Sequence, residues 1–175
     1  NQACVRVNEL GFDSWQDIAI HGDWHPGNML FSGEELVAVV DFDSVKVAPP
    51  VIDLANGLLH FSIVGSRPNP ADWPDYLDQR SFVLFLNGYR EVRELKKSQL
   101  NSLPDLMIEA MITESALPIA ATGFFGNLSG DEFLAMINRK VTWIKEHHRL
   151  LLAAIDNSSP IGELGISEEE KSPRT

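Results

Sequence analysis

The sequence predicts an α+β protein, mainly α, in which a small β-hairpin region is followed by a helical body. Two observations support this fold class. Residues 15–43 alternate short apolar runs with turn residues, and the runs are rich in β-branched and aromatic side chains. After Pro49 and Pro50, apolar residues recur at the spacing of helices. With 175 residues and 44% hydrophobic content, the chain can bury one substantial core.

Short strands are expected around a polar loop. We predict strands at 17–20, 28–31 and 36–42, with the turn SGEE at 32–35 closing a hairpin between the last two. The polar segment HGDWHPGN, residues 21–28, then lies on a loop that is fixed by strands. Loops held in this way are the usual place for chemistry.

Helices are predicted over most of the remaining chain. VIDLANGLLHFSIV is apolar on most sides and indicates a largely buried helix, whereas RPNPADWPD, with its three prolines, indicates a loop. Later segments have apolar stripes, which are expected to include Val92 and Leu134. The predicted helices cover 51–64, 77–95, 98–118 and, after a break at 123–130, a last stretch from Ser129 or Asp131 to about 155.

Composition and charge limit the classes of partner. The net charge of −11 argues against nucleic-acid binding, which depends on clustered Lys and Arg, and favours a cationic partner. No apolar run approaches the roughly 20 residues of a membrane helix, and the first residues lack the features of a secretion signal. We therefore expect a cytoplasmic protein that does not bind membranes. The acidic segment 157–175 is expected to be disordered.

One constellation of polar residues indicates chemistry. His21, Asp23 and Asn28 form the pattern H-x-D-x-x-x-x-N, and thirteen residues after Asn28 a hydrophobic strand ends in Asp41. Transfer of a γ-phosphoryl group needs a carboxylate that orients the attacking hydroxyl and takes its proton, and Mg²⁺ that neutralises the phosphate oxygens. Asp23 suits the first task. Asn28 and Asp41 suit the second, because Mg²⁺ prefers oxygen ligands.

The segments HGDWHPGNMLF and VVDFDSVKVAPPVIDLA resemble the catalytic segment of the aminoglycoside phosphotransferase family, whose wider group includes choline, ethanolamine and homoserine kinases. The resemblance is close over residues 20–56. It implies a protein-kinase-like fold with a mostly helical C-terminal lobe. It also implies ATP as the co-substrate and Mg²⁺ as the metal.

Carried over residue by residue, the resemblance implies a catalytic base at Asp23 and metal ligands at Asn28 and Asp41. His21 resembles the histidine that supports the loop structurally. Asp53, in IDLA, resembles an acidic residue that braces the loop through hydrogen bonds. The alternative for Asp53 is an exposed acid at a helix N-terminus, where the helix dipole favours negative charge.

Three further residues of the same segment have less specific roles. Asp43 is expected to support either the metal or Asp23. Trp24 is either a packing residue or a wall that faces the substrate. His25 is either a cap of its own loop or a substrate contact, since polar loop side chains often bond their own backbone.

The elements that grip the nucleotide are expected upstream of the catalytic loop. Kinases of this type need a phosphate-covering loop, a strand lysine and a helix glutamate there. Only 20 residues precede His21, and none of them is lysine. We therefore expect residues 1–156 to be the C-terminal lobe of a larger enzyme, with the N-terminal lobe absent and no activity alone.

The acceptor stays open at this point. An aminoglycoside, another amino alcohol or a sugar is compatible with the sequence, as is either ATP or GTP, and nothing indicates the oligomeric state. A different interpretation is a metal-dependent hydrolase that uses His21, Asp23 and His25, together with Asp41 and Asp43. A third is a non-catalytic binding module that retains the motif as structure only.

Overall fold

The computed structural model describes residues 2–65 and 67–157 and is mainly helical. This confirms the predicted class, α+β with a majority of helix. The helices are α1 (Gln2–Glu9), α2 (Val51–Ser62), α3 (Gln79–Val92), α4 (Lys97–Thr122), α5 (Gly130–Glu146) and α6 (His148–Asn157). The strands are β1 (Ile18–Ile20), β2 (Met29–Ser32), β3 (Glu35–Val39), β4 (Lys46–Ala48), β5 (Phe124–Phe125) and β6 (Leu128–Ser129).

The strands of the described residues form three antiparallel pairs. The predicted hairpin is confirmed, with Met29 opposite Val39 and Ser32 opposite Glu35. Gly33 occupies its turn with φ 62°, a conformation in which glycine has no steric cost. The predicted strand 36–42 ends earlier, at Val39, because the chain turns into the left-handed region at Asp41.

Strand β4 was not predicted, and it pairs with β1 rather than with the hairpin. Ile18 lies opposite Ala48 and Ile20 opposite Lys46. This pairing joins the chain before the polar loop to the chain after the segment DFD, residues 41–43. The loop and the DFD segment are thereby held at the same end of the molecule.

Helices α2 and α4 pack on each other and make most of the contacts between helices. Most of α2 is buried, as predicted, and it contacts both α3 and α4. Helix α4 also contacts α1, α5 and α6, and it contains Pro104 and Pro118. The largest fully buried apolar side chains of the core include Leu54, Leu58, Leu59, Phe82, Leu86, Leu103, Met107, Ile108, Met136 and Ile144.

Several sequence predictions about the helices need correction. Helix α1 was not predicted at all. The last predicted helix is two helices, since the chain bends at His147. Val92 is 88% exposed and Leu134 is 41% exposed, so neither belongs to a buried stripe.

Two findings concern the predictions on membranes and on the acidic segment. In the part of the chain that the structure describes, no helix has the length and apolar character needed to cross a bilayer. Of the segment 157–175, only Asn157 is described, and it ends α6. The predicted disorder of the segment lies outside the described residues.

Candidate active site

The polar loop is anchored by a carboxylate of α2. Asp53 accepts hydrogen bonds from the backbone N–H of His21 at 2.7 Å and of Gly22 at 2.9 Å. It is therefore not a free acid at the helix N-terminus. The loop also touches the turn that follows Asp41, because a Cβ on Gly22 would lie 2.2 Å from the carbonyl oxygen of Ser44. Gly22 has φ 79°, so both its conformation and its close contact require glycine.

Asp23 and Asn28 are bonded to each other at the centre of the loop. The amide nitrogen Nδ2 of Asn28 donates to the backbone oxygen of Asp23 at 3.0 Å and to its Oδ2 at 3.1 Å. Both of these atoms accept hydrogen bonds, so only the NH₂ end of the amide can face them. Asn28 Oδ1 therefore points away from Asp23, and no described residue donates to it.

A backbone hydrogen bond brings the segment that contains Asp41 next to Asn28. The N–H of Val40 donates to the carbonyl oxygen of Asn28 at 2.9 Å, and Asp41 follows with φ 62°. Asp41 and Asp43 are both exposed. Within the described residues, neither carboxylate makes a hydrogen bond or an ion pair. Of the two alternatives for Asp43, support of Asp23 has no direct hydrogen bond or ion pair among the described residues, and support of the metal stays a prediction.

His21 is buried beneath the loop. Its Nε2 lies 3.0 Å from the carbonyl oxygen of Val40, which makes Nε2 the protonated nitrogen. The ring packs against Phe42, at 4.9 Å between centroids, and against Trp24, at 5.5 Å. Its Nδ1 is buried and has no partner among the described residues. His21 thus connects the loop to the strand that leads to Asp41.

His25 caps the short turn Pro26–Asn28 and also faces Asp23. Its Nδ1 accepts from the N–H of Gly27 at 3.0 Å, and its Nε2 lies 3.5 Å from Asp23 Oδ2. The ring lies over Gly27, where a Cβ would come within 2.7 Å of it. The predicted cap is confirmed. The contact through Nε2 also places the His25 ring next to Asp23, the proposed base.

Trp24 turns toward the helices instead of toward Asp23. A Cβ on Gly57 of α2 would lie 3.0 Å from Trp24 Cδ1. The indole also lines an apolar groove of about 1000 Å³, whose walls come from the β-hairpin, β1, α2 and α3. Asp23, Asn28 and Asp41 do not line this groove. Packing is therefore the role of Trp24 that its contacts support.

The loop and the DFD turn carry an excess of negative charge. Asp23, Asp41, Asp43 and Asp53 lie on these segments or bond to them, and within residues 2–65 and 67–157 no Lys or Arg pairs with any of them. Such a surface favours cations. In the same described part of the chain, no group of three or more His, Cys, Asp or Glu side chains is placed to hold a metal ion. The ligand set that the hydrolase interpretation requires is thus not assembled there.

Comparison with protein families decides the family of this chain. The family model described as a phosphotransferase enzyme family matches residues 6–95, just over half of the chain. The chain belongs to this phosphotransferase family. The match includes the polar loop, the DFD turn, α2 and α3, and it confirms the resemblance inferred from the sequence. A search of curated proteins finds no match.

Two residues near the loop of this phosphotransferase were not predicted. His60 is half-buried, and its Nε2 lies 2.9 Å from Glu114 Oε2. The ring of His60 also lies 5.7 Å from that of His25. These contacts join the loop to α2 and α4. No pattern in the sequence signals a pair whose members are 54 residues apart.

Proposed function

We propose that this chain carries the base and the metal ligands of an ATP- and Mg²⁺-dependent phosphotransferase, which transfers the γ-phosphoryl group to a hydroxyl of a small acceptor. The observation that carries the proposal is the pair of bonds from Asn28 Nδ2 to Asp23. These bonds fix the carboxylate and turn the amide oxygen of Asn28 away from it. A protein-kinase-like arrangement of the lobe belongs to the same proposal.

Asp23 acts as the base in this proposal. Asn28 and His25 both lie at its Oδ2, whereas no described residue donates to Oδ1. Oδ1 accepts the proton of the acceptor hydroxyl. The hydroxyl oxygen forms a bond to the γ-phosphorus, the bond from that phosphorus to the bridging oxygen breaks, and ADP leaves with the electron pair.

The residues present fit a magnesium site. Asn28 Oδ1 and the exposed carboxylate of Asp41 are oxygen donors without other described partners, and oxygen is the donor that Mg²⁺ prefers. The backbone bond between Val40 and Asn28 holds the two residues close in the fold. When bound, the metal neutralises charge on the phosphate oxygens.

The acceptor is proposed to carry amino groups, as an aminoglycoside or an amino alcohol does. Support comes from the carboxylates around the loop and from the net charge of −11, which attract cations to this surface. A neutral sugar is the alternative acceptor. Both have the hydroxyl that the reaction needs.

Phosphoryl transfer from ATP, measured with the complete protein that carries this sequence, tests the proposal. The acceptor panel contains amino sugars, amino alcohols and neutral sugars, and Mg²⁺ is varied. We expect Asp23→Asn to lower kcat by about a hundredfold to ten-thousandfold, the contribution typical of a general base.

Asp17→Asn is the matched control, since it makes the same chemical change at an exposed residue before β1. Its kcat is expected to equal that of the unchanged protein. Turnover that Asp23→Asn leaves undiminished would overturn the proposal. Nucleotide binding without turnover of any acceptor would favour the non-catalytic binding module instead.

A further inference from the structure

His25 carries its proton on the ring nitrogen that faces Asp23. The backbone N–H of Gly27 donates to His25 Nδ1, so that nitrogen presents a lone pair. In the neutral ring the proton is then on Nε2, which lies 3.5 Å from Asp23 Oδ2. This distance is longer than an ordinary hydrogen bond. The position of the ring therefore decides whether Nε2 reaches the carboxylate.

A second imidazole lies against the first. The centroids of the His25 and His60 rings are 5.7 Å apart and the rings are tilted by 58°. His60 belongs to α2, and its Nε2 lies 2.9 Å from Oε2 of Glu114 on α4. Both side chains of this pair are half-buried. Hydrogen bonds that involve a carboxylate are stronger than neutral ones, so Glu114 holds His60 in place.

We propose that His60, held by Glu114, is a positioning residue that fixes the His25 ring beside Asp23. Asn28 and His25 both lie at Asp23 Oδ2, so a fixed His25 ring leaves Oδ1 to the acceptor hydroxyl. The catalytic consequence rests on the proposed function. The fixed orientation of the His25 ring does not rest on the proposed function, because it follows from the contacts alone.

A role in packing alone makes a different prediction. If the His60–Glu114 pair only joined α2 to α4, its loss would lower stability and leave His25 unchanged. If the pair positions His25, its loss changes the ring of His25 even where the chain remains folded. The two roles therefore differ at a residue that can be observed directly.

Nitrogen-15 NMR of the histidine side chains tests the positioning in residues 1–175. In the neutral ring of His25 in the unchanged chain, we expect a single tautomer with its proton on Nε2. In His60→Ala the two nitrogen shifts of His25 are expected to move toward each other, because a ring that turns freely samples both tautomers. Glu114→Gln retains an oxygen acceptor for His60 and is expected to retain the original shifts.

The matched control is His147→Ala, which removes another half-buried imidazole that stacks on an aromatic ring, Trp143. Its His25 shifts are expected to equal those of the unchanged chain. If His60→Ala does not fold, His60→Phe replaces it, since phenylalanine retains a ring and loses the bond to Glu114. His25 shifts that stay the same in a folded variant without the His60 imidazole overturn the proposal.

Kinetics of the complete protein test the catalytic consequence. We expect His60→Ala to lower kcat by roughly tenfold to a hundredfold, the effect of a misplaced catalytic group, and to leave the KM for ATP unchanged. Glu114→Gln is expected to retain most of the rate of the unchanged enzyme. A kcat of His60→Ala within twofold of the unchanged enzyme would overturn this part. Failure of the proposed function appears instead as absent turnover in the unchanged protein, whatever the NMR result.

Discussion

The ammonium group of Lys140 is buried on α5, with 0% of the residue exposed. Its Nζ donates to the carbonyl oxygen of Pro74 at 2.7 Å, and burial lowers the pKa of Lys140 to about 8, with Asp75 opposing this shift. The neighbouring Arg139 donates to Asp75 Oδ1 at 2.7 Å. Together these contacts attach the segment before α3 to α5.

The lowered pKa of Lys140 predicts how stability changes with pH. Between pH 8 and 10.5 the unfolded chain binds a proton that the folded chain has released. The free energy of unfolding therefore rises across this window, by up to about 3 kcal/mol from this residue. Urea unfolding of the unchanged chain and of Lys140→Met gives the free energy of unfolding at pH 7.5 and at pH 10. The rise between the two pH values is expected to be larger in the unchanged chain.

Lys145→Met removes an exposed ammonium from the same helix and is the matched control for Lys140. We expect it to follow the unchanged chain at both pH values. A Lys140→Met variant with the same pH dependence as the unchanged chain would contradict a lowered pKa of Lys140.

The separation of two residues along the chain explains which contacts of the site could be predicted from the sequence. Asp23 and Asn28 are five residues apart, and their contact is formed within one loop, so the motif contains all the information. Asp53 lies farther along the chain but was carried over from the family resemblance. The pair of His60 and Glu114 depends on how α2 packs on α4, which no local pattern specifies.

At the scale of elements, α2 and α3 approach each other closely at Gly57. A Cβ there would lie 2.2 Å from Phe85 Cζ. Glycine weakens a helix interior, but at this position it leaves room for the ring of Phe85. We expect Gly57→Ala to lower the free energy of unfolding by about 1–3 kcal/mol, because the ring of Phe85 must move. Chemical denaturation measures the change.

Gly88→Ala on α3 is the control for Gly57. It makes the same substitution in a helix interior, but nothing lies within 4 Å of the added methyl group. It is expected to raise the free energy of unfolding by up to about 1 kcal/mol, since alanine favours helix. Equal effects of the two substitutions would show that the contact at Gly57 is loose.

Elements with a long periodic pattern were predicted, and those defined by distant contacts were not. Strand β4 has three residues and exists by pairing with β1, which lies more than twenty residues earlier. Helix α1 is short and buries only Ala3 and Val7, so its pattern is weak. The bend at His147 contains neither glycine nor proline, and the sequence on both sides favours helix.

At the scale of the whole molecule, periodicity predicts that a helix has a buried face but not which helix covers it. The class α+β therefore followed from the pattern, while the central position of α4 did not. Helix α4 packs on α1, α2, α5 and α6, so most of the fold depends on contacts between segments distant in sequence. Hydrophobic patterns do not predict which charged groups become buried at these contacts.

One such contact, between the buried carboxylate of Asp105 and the partly exposed side chain of Arg6, joins the two ends of the described chain to α4. Arg6 on α1 donates through Nε to both carboxylate oxygens of Asp105 on α4, at 3.1 and 3.0 Å, and through Nη2 to Oδ1. The hydrogen bond to Asp105 raises the pKa of Arg6. Asp105 is 1% exposed, and His148 Nε2 of α6 lies 3.5 Å from its Oδ2.

Arg6→Leu is expected to destabilise the fold strongly, because it leaves the carboxylate of Asp105 buried without its main partner. Removing one member of a fully buried pair costs about 3–5 kcal/mol, and the loss here is expected to be smaller, about 1–3 kcal/mol, because the Arg6 side chain is 40% exposed and water screens it. Asp105→Asn in the same chain is expected to recover part of this loss, since it removes the buried charge. Thermal and urea unfolding of the two single variants and the double variant give the coupling energy.

The exposed pair of Lys97 and Asp156 is the control, and Lys97→Ala is expected to cost less than about 1 kcal/mol. A cost of Arg6→Leu as small as that of Lys97→Ala would mean that Asp105 is stabilised by other groups, such as His148 and water.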